Sequence, residues 1–236
     1  MFREVVPVKK GRGWILAYVL TIAGALCLVH WGSSAVTVIS EQMPILRQHC
    51  IVIDPGHGGV DGGATSCTGR LESGYNLEIS LKLRDLLHLL GYETRMIRTV
   101  DESVYTKGET ISQKKISDLK ERVRISNESP GNILISIHQN MYPDSRFSGA
   151  QVFFAGTEGS EALGTLLQQN LKTCLHTRRQ EKKSSGVYLM DHIECTGILV
   201  ECGFLSNPEE EAKLSDPVYQ RKLCCVIAGT LSQFLG

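Results

Sequence analysis

Charge of one sign is what this chain most plainly lacks: Lys+Arg and Asp+Glu are each 25 and cancel. With no net field to draw the protein onto a polyanion, nucleic-acid binding is set aside. No CxxC pair occurs, which removes zinc ribbons and thioredoxin chemistry. HExxH, GxxxxGK[ST] and GxGxxG are also missing, so thermolysin-type peptidases and the two common phosphate-cradling loops drop out. What remains is an ordinary globular composition, 42% hydrophobic and 21% charged in 236 residues, which suits one domain with an appendage.

The appendage is N-terminal. Arg3, Lys9, Lys10 and Arg12 outweigh Glu4, and Trp14 to Val29 then carries no charged residue. That order is an export signal, with everything after residue 35 delivered outside the cytoplasm. The uncharged run is shorter than the ~20 residues of a spanning helix. Ser33-Ser34-Ala35 offers a small-x-small cleavage site, so a cleaved signal peptide and a retained membrane anchor are both open. Residues 1–35 are therefore assigned to signal or anchor, 36–49 to a linker and 50–236 to the catalytic domain. Of the 8 cysteines, Cys27 lies in the apolar run behind the bulky Leu26 and does not form a lipidation box. The rest are odd in number, against a fully paired framework, and read mainly as small core hydrophobes.

From Cys50 onward strand-like and helix-like patterns alternate. Cys50 to Ile53 is an apolar run stopped by Pro55 and Gly56, as in a strand buried on both faces. Tyr75 to Leu90 is Leu-rich and closes at Gly91; some alternation also fits a strand, and length decides for helix. Further strands are expected at Tyr92–Ile97, Ile133–Ile137, Val152–Phe154, Val187–Met190 and Ile198–Glu201. Further helices are expected at Leu119–Ser126 and Pro217–Leu235. Another starts from a Ser160 cap, with Leu163, Leu166, Leu167, Leu171 and Cys174 on one stripe. Arg178 to Ser185 reads as a polar, basic loop. The alternation predicts an α/β fold, a single layered domain with a largely parallel central sheet flanked by helices.

Three ionisable groups fall where strands are expected to end. His57 lies in Asp54-Pro55-Gly56-His57-Gly58-Gly59, His138 in Ser136-Ile137-His138-Gln139-Asn140, and Glu201 closes Ile198-Leu199-Val200-Glu201. Sites in such sheets gather beyond the carboxyl ends of the strands, so three distant segments would converge on one rim. One His at a strand end is more often a hydrogen-bonded core residue than a ligand. Two of them with two glutamates favour a metal. Two His and one carboxylate suit a catalytic Zn²⁺ with a fourth position open to water. Glu72 is the best third ligand and Glu78, inside the first helix, its rival. Zinc would bring the pKa of its water down toward about 7, and a second carboxylate must then take and return a proton; Glu201 is chosen for that role. His192-x-x-Cys195 with Cys202 lacks an evident fourth ligand for structural zinc. Cys202 as a thiol nucleophile would face away from Glu201, because neighbours on a strand alternate.

Together DPGHGG at 54–59, Glu72, Arg98-x-x-Asp101, Arg122, Asn127, SIHQN at 136–140 and ECGFLSN at 201–207 make the chain from Ile51 onward resemble the zinc-dependent N-acetylmuramoyl-L-alanine amidases of the Amidase_3 family. The resemblance implies zinc ligands His57, Glu72 and His138, with Glu201 as catalytic general base. Within the family the chain is most similar to the germination-specific type of spore formers. That type removes stem peptides from peptidoglycan so that muramic-δ-lactam can form in spore cortex. Gln139 departs from the usual SIHAN, and Cys202 replaces a small or β-branched residue; neither removes a ligand. The implied partners are peptidoglycan and, if the N-terminal segment is uncleaved, the membrane; the need for an accessory protein is left open by the sequence. Competing readings are a noncatalytic wall-binding protein on the same fold and a zinc peptidase acting on stem peptides.

Overall fold

The computed structural model describes residues 49–129 and 131–236. The expected signal or anchor and nearly all of the linker lie outside them. A six-stranded sheet runs in the order β2-β1-β3-β6-β4-β5. Its strands are β1 (Cys50–Pro55), β2 (Glu93–Met96), β3 (Ile133–Asn140), β4 (Gln151–Phe154), β5 (Lys182–Lys183) and β6 (Thr196–Phe204). The first four in spatial order are parallel; β4 runs antiparallel to β6, and β5 is parallel to β4. The expected α/β class with a mostly parallel sheet is what the chain adopts.

Period-two alternation sorts each central strand between two apolar layers. Ile51, Ile53, Ile135, Val200 and Cys202 face one layer, and Val52, Leu134 and Leu199 face the other. Three long helices cover the first layer: α1 (Glu72–Leu89), α3 (Ser160–Leu175) and α6 (Pro217–Leu235). Tyr75, Ile79, Leu83 and Leu87 recur every four residues along α1 and are all fully buried, the stripe a helix needs to pack on a sheet. The second layer is closed by α2 (Ile111–Ser126) and the short α4 (Tyr188–His192). A remaining helix, α5 (Pro208–Ser215), follows β6. Among the described residues no helix is long and apolar enough to cross a membrane.

Several local expectations are corrected. Val187–Met190 is not a strand: Tyr188 to His192 form α4, a short apolar run of the kind whose periodicity cannot separate the two states. Ser160 is not a cap; Gly159 precedes the helix, and the Ser160 hydroxyl accepts from the Gly197 amide at 2.9 Å. On α3 the buried leucines are Leu163, Leu167 and Leu171, while Cys174 is exposed. The cysteines are not mainly core: Cys195, Cys202 and Cys224 are buried, but Cys67, Cys174 and Cys225 are exposed. The basic loop contains the two-residue β5. Helix α2 starts earlier than expected, where Thr110 and Gln113 form a capping box. Glu72 does not precede the first helix but opens it.

Candidate active site

The loop after β1 carries the first site residue and is shaped by two buried guanidinium groups. Arg98, 2% exposed, donates to the carbonyls of Pro55 (2.9 Å), Gly56 (3.0 Å), Ser73 (2.9 Å) and Val100 (3.0 Å). Arg122 on α2 pairs with the buried Asp54 and donates to the carbonyls of Pro55 (3.0 Å) and His57 (2.7 Å) and to Asp118 (2.6 Å). Loop carbonyls that would otherwise be unsatisfied are thereby held in one arrangement. Burial pushes the Asp54 carboxyl up, yet Arg122, His138 and Ser136 together hold it below its ordinary value. His57 itself sits at φ 60°, a left-handed conformation that costs a non-glycine residue roughly 1 kcal/mol or more and concentrates at functional sites.

Three segments bring the metal-binding types together. Among the described residues, His57, Glu72 and His138 form a cluster whose candidate ligand atoms all lie within 4.8 Å of one another. Glu72 Oε2 is 3.2 Å from His57 Nε2, and Glu72 Oε1 is 3.0 Å from His138 Nδ1. The carboxylate also accepts from the Ala64 and Gln139 amides (3.0 and 3.1 Å) and the Asn76 side chain (3.2 Å). Its place in the first turn of α1 puts negative charge at the positive end of the helix dipole. A Cβ at Gly63 would stand 2.6 Å from Glu72 Oε2 and 2.7 Å from the His57 ring, so only glycine lets this loop pass the cluster. Burial pulls the His57 imidazole down, but Glu72 and Asp61 outweigh it and lift it to about 9. Burial pushes the Glu72 carboxyl up, but the His138 and His57 imidazoles beside it outweigh that and hold it well below the usual carboxylate range. Two imidazoles thus converge on one buried carboxylate, a donor set that suits a divalent ion.

His57 Nδ1 is engaged at 3.0 Å by Asp61 Oδ2, which leaves Nε2 toward the cluster. Asp61 Oδ1 in turn receives Lys115 at 2.8 Å. A carboxylate behind a metal-facing imidazole fixes the ring's tautomer and aim. Neither Asp61 nor Lys115 stood out in the sequence, although the spacing of His57 and Asp61 within one glycine-rich loop was a usable signal.

Glu201 does not end its strand; it lies inside β6, and His138 lies inside β3. The two are register partners across parallel strands, so their side chains rise from the same sheet face beside each other. Glu201 is half-buried, and its Oε2 is buried with no hydrogen-bond partner. Desolvation lifts its carboxyl to about 7, with His138 opposing and Glu72 adding to the rise. Cys202 points into the opposite apolar layer, where burial pushes its thiol well up. Glu78 stays outside the cluster, paired with Arg70 at 2.7 Å. His192 is exposed and bonds the Tyr188 carbonyl, and among the described residues it joins no metal-capable group with Cys195 or Cys202. Asn140 contributes its backbone carbonyl to Leu205.

Comparison with known proteins gives one consistent picture. The model of the family described as Amidase_3, N-acetylmuramoyl-L-alanine amidase, matches residues 51–233. The germination-specific N-acetylmuramoyl-L-alanine amidase of Bacillus subtilis is 39% identical over 181 residues, which cover 75% of this chain and 76% of that protein. The structure of the CwlD amidase from Clostridioides difficile, in complex with the GerS lipoprotein, is similar with a TM-score of 0.74 at 34% identity, covering 79% of this chain and 98% of that one. A second N-acetylmuramoyl-L-alanine amidase, from Clostridium difficile 630, gives a TM-score of 0.70 at 29% identity, over 79% and 96% of the two chains.

Proposed function

Because the chain belongs to the N-acetylmuramoyl-L-alanine amidase family, we propose that it hydrolyses the amide between the lactyl group of N-acetylmuramic acid and L-alanine in peptidoglycan, with zinc held by His57, Glu72 and His138. The observation that carries this reading is the His-Glu-His cluster set beside the half-buried Glu201, whose Oε2 is buried and unpartnered. The donor set, two imidazoles and one carboxylate, is one that suits catalytic zinc. Bound there, zinc would act as a Lewis acid on the amide carbonyl and lower the pKa of water toward about 7.

The chain's own residues supply the rest. Glu201 acts as general base: its free Oε2 takes the proton of the attacking water and returns it to the departing amine nitrogen. Asp61 and Arg122 hold His57 from its ring nitrogen and from its carbonyl, so a metal-facing nitrogen is aimed before substrate arrives.

Relatedness to the germination-specific enzyme supports a role in removing stem peptides ahead of muramic-δ-lactam formation in spore cortex. The basic N-terminal flank and uncharged run support work outside the cytoplasm. The clostridial relative's lipoprotein complex supports an accessory protein partner here. Mass spectrometry of muropeptides after digestion by the purified full chain separates the alternatives. The expected products are stem peptides with a free L-alanine amino terminus and glycan retaining the lactyl carboxylate, with no cleavage after chelation. Cuts within the stem would indicate a peptidase, and no cuts by metal-loaded protein would indicate a noncatalytic wall protein.

A further inference from the structure

The two imidazoles of the cluster, His57 and His138, line a cavity of about 330 Å³, within the range of small-ligand sites. Its charged lining is almost entirely spoken for. Asp54 is taken by Arg122 and by the Ser136 hydroxyl (2.6 Å). Asp118 is taken by Arg122 (2.6 Å) and the Val104 amide (2.6 Å), and Asp61 by His57 and Lys115. Lys114 differs. Its ammonium lies 5.1 Å from the centre of the Tyr105 ring, and it is the cation of this lining with no carboxylate partner among the described residues. An aromatic face attracts an ammonium without occupying its N–H donors, so those donors stay available. Lys115, the next residue, reaches Asp61 and through it His57. This turn of α2 is thus tied to the reacting centre, and Val187, Tyr188, Leu189 and Leu199 supply apolar wall.

We propose that Lys114 forms a carboxylate subsite of the catalytic cavity that binds a free carboxylate of the stem peptide and so sets which stems are cleaved. The inference rests on the amidase reading and deepens it. The leaving half of the substrate is a peptide carrying acidic groups, and an ammonium whose surrounding carboxylates are all engaged is the complementary group.

The test uses the full-length protein and a pair of muramoyl peptides differing only in whether the acidic stem residue is a free acid or a primary amide. Wild type should favour the acid in kcat/KM by about tenfold, the size of one charge-assisted hydrogen bond in a partly dried cleft. Lys114→Met should lose that preference through a raised KM for the acid alone, and Lys114→Arg should keep it. Binding of the released peptide, acid against amide, should show the same pattern without turnover. The inference is overturned if wild type treats the two substrates alike, if Lys114→Met keeps the preference, or if it slows both equally. Absence of cleavage of either substrate, with the acid peptide still bound through Lys114, would instead count against the amidase reading.

Discussion

Replacing Arg122 with methionine removes the donor that ties Asp54, Asp118 and two loop carbonyls together. Asp54 is 1% exposed and Arg122 3%, so the carboxylate left behind is poorly solvated. Ser136, at 2.6 Å, is then its remaining side-chain partner. Breaking one side of a buried pair typically costs about 3–5 kcal/mol, which in a domain of this size lowers the thermal midpoint by roughly 6–20 °C. The sign of the pH dependence is specific. In the wild type Asp54 titrates below its unfolded value, so its stabilisation is present above the unfolded pKa and is lost as pH falls through the folded one. Without Arg122, burial dominates and lifts that carboxyl above its unfolded value, so the variant gains stability as it protonates. Thermal unfolding of the full chain at neutral and mildly acidic pH should therefore show a deficit that shrinks on acidification. Asp54→Asn combined with Arg122→Met should recover part of the loss, because no charge is left unpaired. A deficit below about 1 kcal/mol, the level of an exposed ion pair, or one independent of pH, would refute the reasoning.

Two further outcomes concern the site itself. Asp61→Asn should weaken zinc affinity by about 10–100-fold, the usual effect of removing the group behind a metal-bound His, as read by competition with a chromophoric chelator. Unchanged affinity would deny Asp61 its aiming role. In the muropeptide digest, Glu201→Gln should slow release of stem peptides by about 10²–10⁴-fold, and near-normal turnover would mean that another group is the base.

Much of the layout is legible in the chain because it is local. Ile51-Val52-Ile53 followed by Asp54-Pro55-Gly56 marks β1 and its loop, and Pro217 to Leu235 marks the last helix with the bounds it adopts. The site residues His57, Glu72, His138 and Glu201 were legible as types. Their geometry was less so: that His138 and Glu201 sit opposite each other inside strands depends on register, which no single segment encodes. The helical Tyr188–His192 escaped because short apolar runs fit either state, and although Val152–Phe154 read as a strand, its antiparallel direction beside β6 depends on pairing with a distant segment. The partnership of Asp54 with Arg122 and the bonds from Arg98 to the Pro55, Gly56 and Ser73 carbonyls join residues far apart in the chain, and composition carries no trace of them. Helix α5 had a readable start in Asn207-Pro208, where the Asn207 side chain caps the Glu209 and Glu210 amides.

The most direct measurement is the zinc content of the purified full chain and of His57→Ala and Glu72→Ala, each equilibrated with limiting zinc and analysed by elemental mass spectrometry. The expected result is about one zinc per wild-type chain, as for a single catalytic site, and little in either variant while both remain folded. Equal zinc in all three proteins would contradict the metal centre formed by His57, Glu72 and His138.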